Sequence, residues 1–263
     1  MSTNAGFSCE TFAHSDGNVA IFTVHGQTRL NVVGSDTMRA CTAGVDAMRD
    51  DPTLRCAVLQ GGPDDAFIGG ANLRELQALQ AHDAAGFVGA IHEFCASLRA
   101  FPVPVIARIR GHCLGAGMEI AAACDFRVCD DTAVFGMPEV RVGVPSVVEA
   151  ALLPHLIGHG KTRELVFRGH LIDAHEASRI GFIEQYVGSD DIDDAIAAAV
   201  GDIVEAAPNA IRLQKRLCNG WEPHGVDDAI TGSLAAFAQA YETDEPRQYC
   251  ERFFSRRSAT PKS

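Results

Sequence analysis

Glu119 and Glu139, each beside a glycine-rich stretch, are the residues of this chain best suited to chemistry. Glu119 follows Gly111-His112-Cys113-Leu114-Gly115-Ala116-Gly117-Met118, and Glu139 closes Phe135-Gly136-Met137-Pro138-Glu139. A helix is expected over 116–123, with Glu119 one turn into otherwise apolar sequence. The small residues Gly115, Ala116 and Gly117 at its start leave room for a ligand to approach the backbone. Alone, Glu119 could equally serve the helix dipole, and Glu139 after its proline reads as ordered surface. Together they permit one carboxyl to give a proton while the other takes one, which hydration of a double bond demands.

A second glycine-rich stretch, Ala66-Phe67-Ile68-Gly69-Gly70-Ala71-Asn72-Leu73-Arg74-Glu75, also runs into a helix-forming segment. It reads either as a tight strand-to-helix turn or as a loop whose free N–H groups face outward. In the second case the partial positive charge of a helix start can receive a developing oxyanion without help from a side chain.

Short β-rich runs at 19–24, 55–60, 104–110 and 125–128 must position these loops; each is bounded by Gly, Pro or Asp and separated by helical patterns,. The alternation indicates an α/β fold. Helices are expected over 35–49, opening on Ser35 as the cap, and over 83–100, where Phe87, Ile91, Phe94, Cys95 and Leu98 recur at helical spacing,. Strand 55–60 runs into the glycine-rich 61–71, and strand 105–110 into 111–117. That repetition suggests successive turns of one architecture presenting equivalent loops on one side. Beyond residue 190 only helical patterns remain, at 190–206, 209–218, 226–241 and 246–256. Ile230, Leu234, Phe237 and Tyr241 then need a surface other than a sheet to cover them.

Composition narrows the partners. With 34 acidic residues against 22 basic ones, a net charge of -12 and only Lys161, Lys215 and Lys262 as lysines, no basic face exists for nucleic acid,. A few local arginines could still bind an anionic ligand, because screening confines charge effects to about 8–10 Å. The nine cysteines contain no CxxC pair and are expected to be reduced thiols, mostly buried,. His112, His155, His159 and His175 lack metal-ligand spacing, so no metal is expected. Neither glycine loop holds Gly-x-Ser-x-Gly, which excludes the usual serine hydrolase elbow. Residues 1–10 lack the features of a secretory signal, and no stretch is apolar enough to span a membrane. A soluble, cytoplasmic protein is the expectation.

The two glycine loops, the Cys124-Asp125 pair and Phe135-Gly136-x-Pro138-Glu139, in this order and spacing, closely resemble the enoyl-CoA hydratase/isomerase (crotonase) family. The resemblance implies a spiral of ββα turns over 1–195 and a C-terminal all-helical trimerisation region over 196–263. It also implies a homotrimer or a dimer of trimers. By the same resemblance the amides of Ala71 and Ala116 would form an oxyanion hole for an acyl-CoA thioester, flanked by Gly69, Gly70 and Gly115. Glu119 would act chiefly as base on a water, and Glu139 would exchange a proton with Cα. Arg29 and Arg74 would contact CoA phosphates, or be solvated charges. Coenzyme A enters as part of the substrate, and no separate cofactor is implied.

The chain departs from the family after Glu139. Hydratases of the family carry a run resembling Ile-Pro-Gly-Ala-Gly-Gly-Thr, whereas here Gly143-Val144-Pro145-Ser146-Val147-Val148-Glu149 follows. Ser146 must replace a glycine amide in seating the water, or the water site is altered. Glu149 adds a third carboxylate, either a structural cap or salt bridge, or part of the site. An isomerase with a single working carboxylate, another acyl-CoA lyase or hydrolase, and a non-catalytic relative are the competing readings. Phe87, Phe94 and Phe135 are candidate walls of the acyl pocket.

Overall fold

The computed structural model of the chain describes residues 2–4, 6–14, 16–62, 66–222 and 224–259. Residues 63–65 of the first glycine-rich segment, Lys262 and the end of the tail lie outside the described residues.

Three strands, β1 (Ser2–Asn4), β2 (Phe7–His14) and β3 (Gly17–Val24), form an antiparallel meander. From β4 onward the chain alternates between two sheets. β4 (Leu54–Gly61), β6 (Val105–Ile109) and β8 (Phe126–Asp130) join parallel to β3 in a seven-stranded sheet of order β1-β2-β3-β4-β6-β8-β11. Each of these three strands is followed by a short strand of a second sheet: β5 (Ala66–Ile68), β7 (His112–Leu114) and β9 (Val134–Gly136). β10 (Leu171–Asp173) completes that sheet, ordered β10-β9-β7-β5, and β11 (Gln185–Val187) closes the larger one beside β8. The expected repetition is therefore strand, glycine turn, short strand, helix. Short strands such as β7 lie inside segments that read as loops, since three residues are too few to show a period. Buried residues from Leu54 to Leu59 explain why β4 reads as a continuous apolar run: it is covered on both faces,.

The helices after the short strands are α2 (Leu73–Ala78), α3 (Ala84–Arg99), α4 (Ala116–Ala123) and α5 (Leu153–Arg168); α1 (Ser35–Asp46) follows β3. α3 buries Phe87, Ile91, Phe94, Cys95 and Leu98, as the spacing predicts. Ser35 is not the cap of α1. The cap position is Gly34, and Ser35 N–H and Oγ both donate to the Glu75 carboxylate. A side chain forty residues downstream thus satisfies the helix start, a solution that local sequence cannot show.

Cores lie on both sides of the large sheet. The main one packs α1, α3 and α4 against Phe22, Leu59 and Ile109. The other is covered by α7 (Ile192–Glu205), whose Ile192, Ile196, Val200 and Val204 pack on Val58, Ile106 and Val128; α6 (Ala174–Arg179) precedes it. Residue 195, the expected division, falls inside α7. The helical tail continues as α8 (Pro208–Trp221), α9 (Val226–Ala240) and α10 (Glu245–Ala259). α8 is pinned by Lys215, whose buried ammonium donates to Leu98 O, Val103 O and Asp125 Oδ2 at 3.1, 3.0 and 2.8 Å. Along α9, Val226, Ile230, Leu234 and Phe237 are exposed, with Tyr241 just beyond it. Seven of the nine cysteines are buried and all are free thiols. No helix among the described residues is long and apolar enough to cross a membrane.

Candidate active site

The two glycine loops meet because neither has side chains to keep them apart. At Gly70, with φ +112°, a Cβ would press on the Leu114 carbonyl, and at Gly117 it would collide with Ile68 O. The start of α4 is thereby seated directly on β5. Gly69 packs with equal closeness against Leu30, and its N–H donates to Leu30 O at 2.8 Å. Asn31 holds that neighbouring loop. Fully buried in a left-handed conformation, it donates to Val24 O and Phe67 O and accepts from Gly26 N–H. Nothing in the sequence reading pointed to Asn31; an asparagine beside Thr28 and Arg29 in a turn-prone stretch was the available signal.

Ala71 bridges in parallel to Val33, and the bridge uses Val33 N–H to Gly70 O and Asn72 N–H to Val33 O. The Ala71 N–H takes no part in either bond. Ala116 is the first residue of α4, a position whose N–H has no acceptor within the helix,. Both residues line one cavity of about 740 Å³, together with Gly69, Gly70, Gly115, Glu119 and Glu139. The rest of its wall is mostly apolar, including Leu76, Phe87, Ile91 and Val144. Of the three candidate aromatic walls only Phe87 is there; Phe94 and Phe135 are sealed in the core, because their faces of α3 and β9 point into it.

Glu119 is 4% exposed on a helix whose every residue is buried. Burial first, then the charges of Glu139 and Glu149, push its carboxyl up to about 8, against the pull of the Val147 and Ala150 backbone amides,. Glu139 begins a single 3-10 turn and lies over Gly115, where any Cβ would strike its Oε1. Burial raises its proton affinity too, opposed by its own backbone amide and by Ser146, whose hydroxyl donates to Oε2 at 2.8 Å.

Ser146 therefore touches a carboxylate and is absent from the cavity wall. Glu149 is also not on the wall but behind it, 7% exposed, with Oε1 at 2.8 Å from His92 Nδ1. Val148, just before it, adopts φ +39°, an unfavourable conformation for a β-branched residue, at the point where the family carries glycines,. Arg29 and Arg74 are exposed, and neither lines the cavity. The arginine that does is Arg141, which the sequence reading passed over; its guanidinium also donates to Arg168 O and Gly169 O. No group of three His, Cys, Asp or Glu among the described residues could hold a metal ion.

The profile of the family described as enoyl-CoA hydratase/isomerase matches residues 14–260. Over 242 residues the chain is 29% identical to a crotonyl-CoA hydratase of Syntrophomonas wolfei, covering 92% of this chain and 93% of the relative. A short-chain-enoyl-CoA hydratase of Clostridium acetobutylicum is 28% identical over 243 residues, with the same two coverages. Among solved structures, an enoyl-CoA hydratase from Bacillus anthracis superposes with a TM-score of 0.89 at 23% identity, covering 95% of this chain and 96% of that one. Pseudomonas aeruginosa DspI superposes at 0.90 and 24% identity, over 100% and 98%. At these identities the two structures speak for the fold alone, the crotonase fold.

Proposed function

This chain belongs to the enoyl-CoA hydratase/isomerase family, and from that premise we propose that it adds water across the 2,3 double bond of an enoyl-CoA thioester. The observation that carries the reading is the convergence of Ala71, Ala116, Glu119 and Glu139 on one largely apolar cavity. The thioester oxygen accepts hydrogen bonds from the Ala71 and Ala116 amides as the enolate develops, each donor contributing ~3–4 kcal/mol of barrier reduction. Between them the two glutamates take a proton from water and give one to Cα, while the water oxygen bonds to Cβ. Acid-base help of this kind contributes about 10² to 10⁴ in rate.

Two carboxyls on the cavity favour hydration over an isomerisation that needs one. The exposed apolar row along α9 is the surface on which we expect further copies of the chain to assemble as a trimer or a pair of trimers,. The decisive experiment incubates the purified protein with short, medium, branched and aryl 2-enoyl-CoA substrates and follows loss of the conjugated thioester absorbance. Hydration of at least one is expected. No loss with any of them rejects the reading.

A further inference from the structure

Glu75 closes the first glycine-rich segment without lining the cavity, although Ala71, Leu73 and Leu76 around it do. Its half-buried carboxylate turns instead to the start of α1, where Ser35 N–H donates to Oε1 and Oε2 at 3.3 and 3.2 Å and Ser35 Oγ donates to Oε1. Gly34 makes the room. A Cβ there would strike Glu75 Oε2, although the backbone of Gly34, at φ -105° and ψ 176°, is open to any residue,. The missing side chain at 34 therefore serves the carboxylate and not the turn. This bridge extends a short parallel ladder: Val33 N–H donates to Gly70 O at 2.9 Å, Asn72 N–H donates to Val33 O at 2.8 Å, and just beyond them Glu75 reaches Ser35. In a parallel bridge the N–H of the bridged residue points away from its partner strand, so the direction of the Ala71 N–H is set by how firmly this ladder is closed,. Little else closes its far end. None of the residues of α2 is buried, and the other side-chain tie, Asn72 Nδ2 to Gln27 Oε1 at 2.8 Å, is exposed. A carboxylate that accepts a hydroxyl and a backbone amide at a helix start is the stronger kind of contact.

We propose that Glu75 is a positioning residue of the oxyanion hole: by locking Ser35 it keeps segment 70–75 on segment 33–35 and so holds the Ala71 N–H aimed at the thioester oxygen. This role rests on reading the Ala71 and Ala116 amides as the hole, and it is independent of which proton each cavity glutamate moves. A hydrogen bond weakens steeply as its angle departs from linear, and a donor lowers the barrier only if it is already aimed where charge develops. Loss of the carboxylate leaves the α1 start without its acceptor and the Ala71 peptide free to turn. Ala116 is seated separately, through the packing of Gly117 on Ile68 O, and keeps its place.

Butyryl-CoA, a saturated thioester that cannot be hydrated, is the probe. Bound to the full-length protein and isotopically labelled at its carbonyl, it reports hydrogen bonding at that oxygen as a displacement of its infrared stretch below the position in water. The parent should show the displacement. Glu75→Ala should lose about half of it, since one of two donors is misaimed and the Ala116 amide remains. Gly34→Ala, which keeps Glu75 in the chain but evicts its carboxylate, should lose a similar share, and it carries the test if Glu75→Ala does not fold. Glu75→Gln, with an acceptor oxygen at the same reach, should retain more than Glu75→Ala. Where hydration is observed, kcat in Glu75→Ala and Gly34→Ala should fall at least ~10-fold, short of the ~10² to 10³ that outright loss of a donor costs, with KM little changed. A displacement in the parent that persists undiminished in Gly34→Ala and Glu75→Gln, and in Glu75→Ala if it folds, overturns the proposal and leaves the oxyanion hole standing. A parent that binds butyryl-CoA with no displacement removes the hole itself, and the role of Glu75 with it.

Discussion

The Ser146 hydroxyl donates to Glu139 Oε2 at 2.8 Å, at the place where the family's glycine-rich run has been replaced. A donor on a carboxylate favours its charged form, so this bond opposes the rise that burial imposes on Glu139,. Replacing Ser146 with alanine removes the bond and leaves the raising influence alone. The Glu139 carboxyl then keeps its proton to higher pH, and the limb of the pH profile that reports Glu139 moves upward,. An upward shift of that limb in Ser146→Ala, read from kcat measured across pH, is the expected outcome. An unshifted profile in Ser146→Ala would separate Ser146 from Glu139 ionisation.

Glu119→Gln and Glu139→Gln should each lower the hydration rate at least ~100-fold while thermal unfolding stays cooperative. Steady-state assays on the best substrate of the acyl-CoA panel measure this. Full activity in either variant would remove that residue from the chemistry.

Two neighbouring glycines should fail in different ways. A methyl at Gly115 meets the tip of Glu139, a side chain that can swing aside, although φ +51° adds backbone strain,. At Gly117 it meets the Ile68 carbonyl, which is backbone and cannot yield. Gly115→Ala is expected to fold and lose most of its activity. Gly117→Ala should lower stability by more than ~2 kcal/mol, as overpacking does. Denaturant unfolding and kinetics on both variants distinguish the two.

Stability should respond to Glu119 in the alkaline direction. Folded, its carboxyl holds a proton up to about pH 8, whereas the unfolded chain releases it near 4.5. The native state binds more protons in that window, so this group's contribution is intact below it and is lost as pH rises through it. Glu119→Gln should therefore be more stable than the parent at pH 9 by a few kcal/mol, and nearly equal to it at pH 4, read by urea unfolding at both values.

Lys215 joins the helical tail to the core through two carbonyls and Asp125, and burial lowers the proton affinity of its amine. Removing one member of a buried, hydrogen-bonded ion pair costs ~3–5 kcal/mol. Lys215→Ala should lose stability on that scale by denaturant unfolding with KM unchanged, since the lysine is remote from the cavity wall.

Much of the site was legible because its signals are local. Helix 116–123 follows from apolar composition after a glycine start, and the burial of Phe87, Ile91 and Phe94 follows from spacing along α3. Glycines that must approach another backbone, and carboxylates beside them, are visible as residue types before any fold is known. The family itself was readable from the order of these motifs, and its profile spans residues 14–260. Three-residue strands, the cap that Glu75 provides for α1 and the Lys215 anchor carry no such mark, because each depends on a partner distant in the chain.

What sequence alone determined is which groups are available: amides without side chains in their way, two glutamates, and a third acid after the segment that replaces the family's glycine-rich run. Tertiary structure decided how those groups act on one another. It set Ser146 on Glu139, Glu149 on His92 away from the cavity wall, Arg141 at the cavity in place of Arg29 and Arg74, and two of three phenylalanines inside the core. Charge and desolvation depend on distance and burial, which the chain acquires only when the two sheets close on each other.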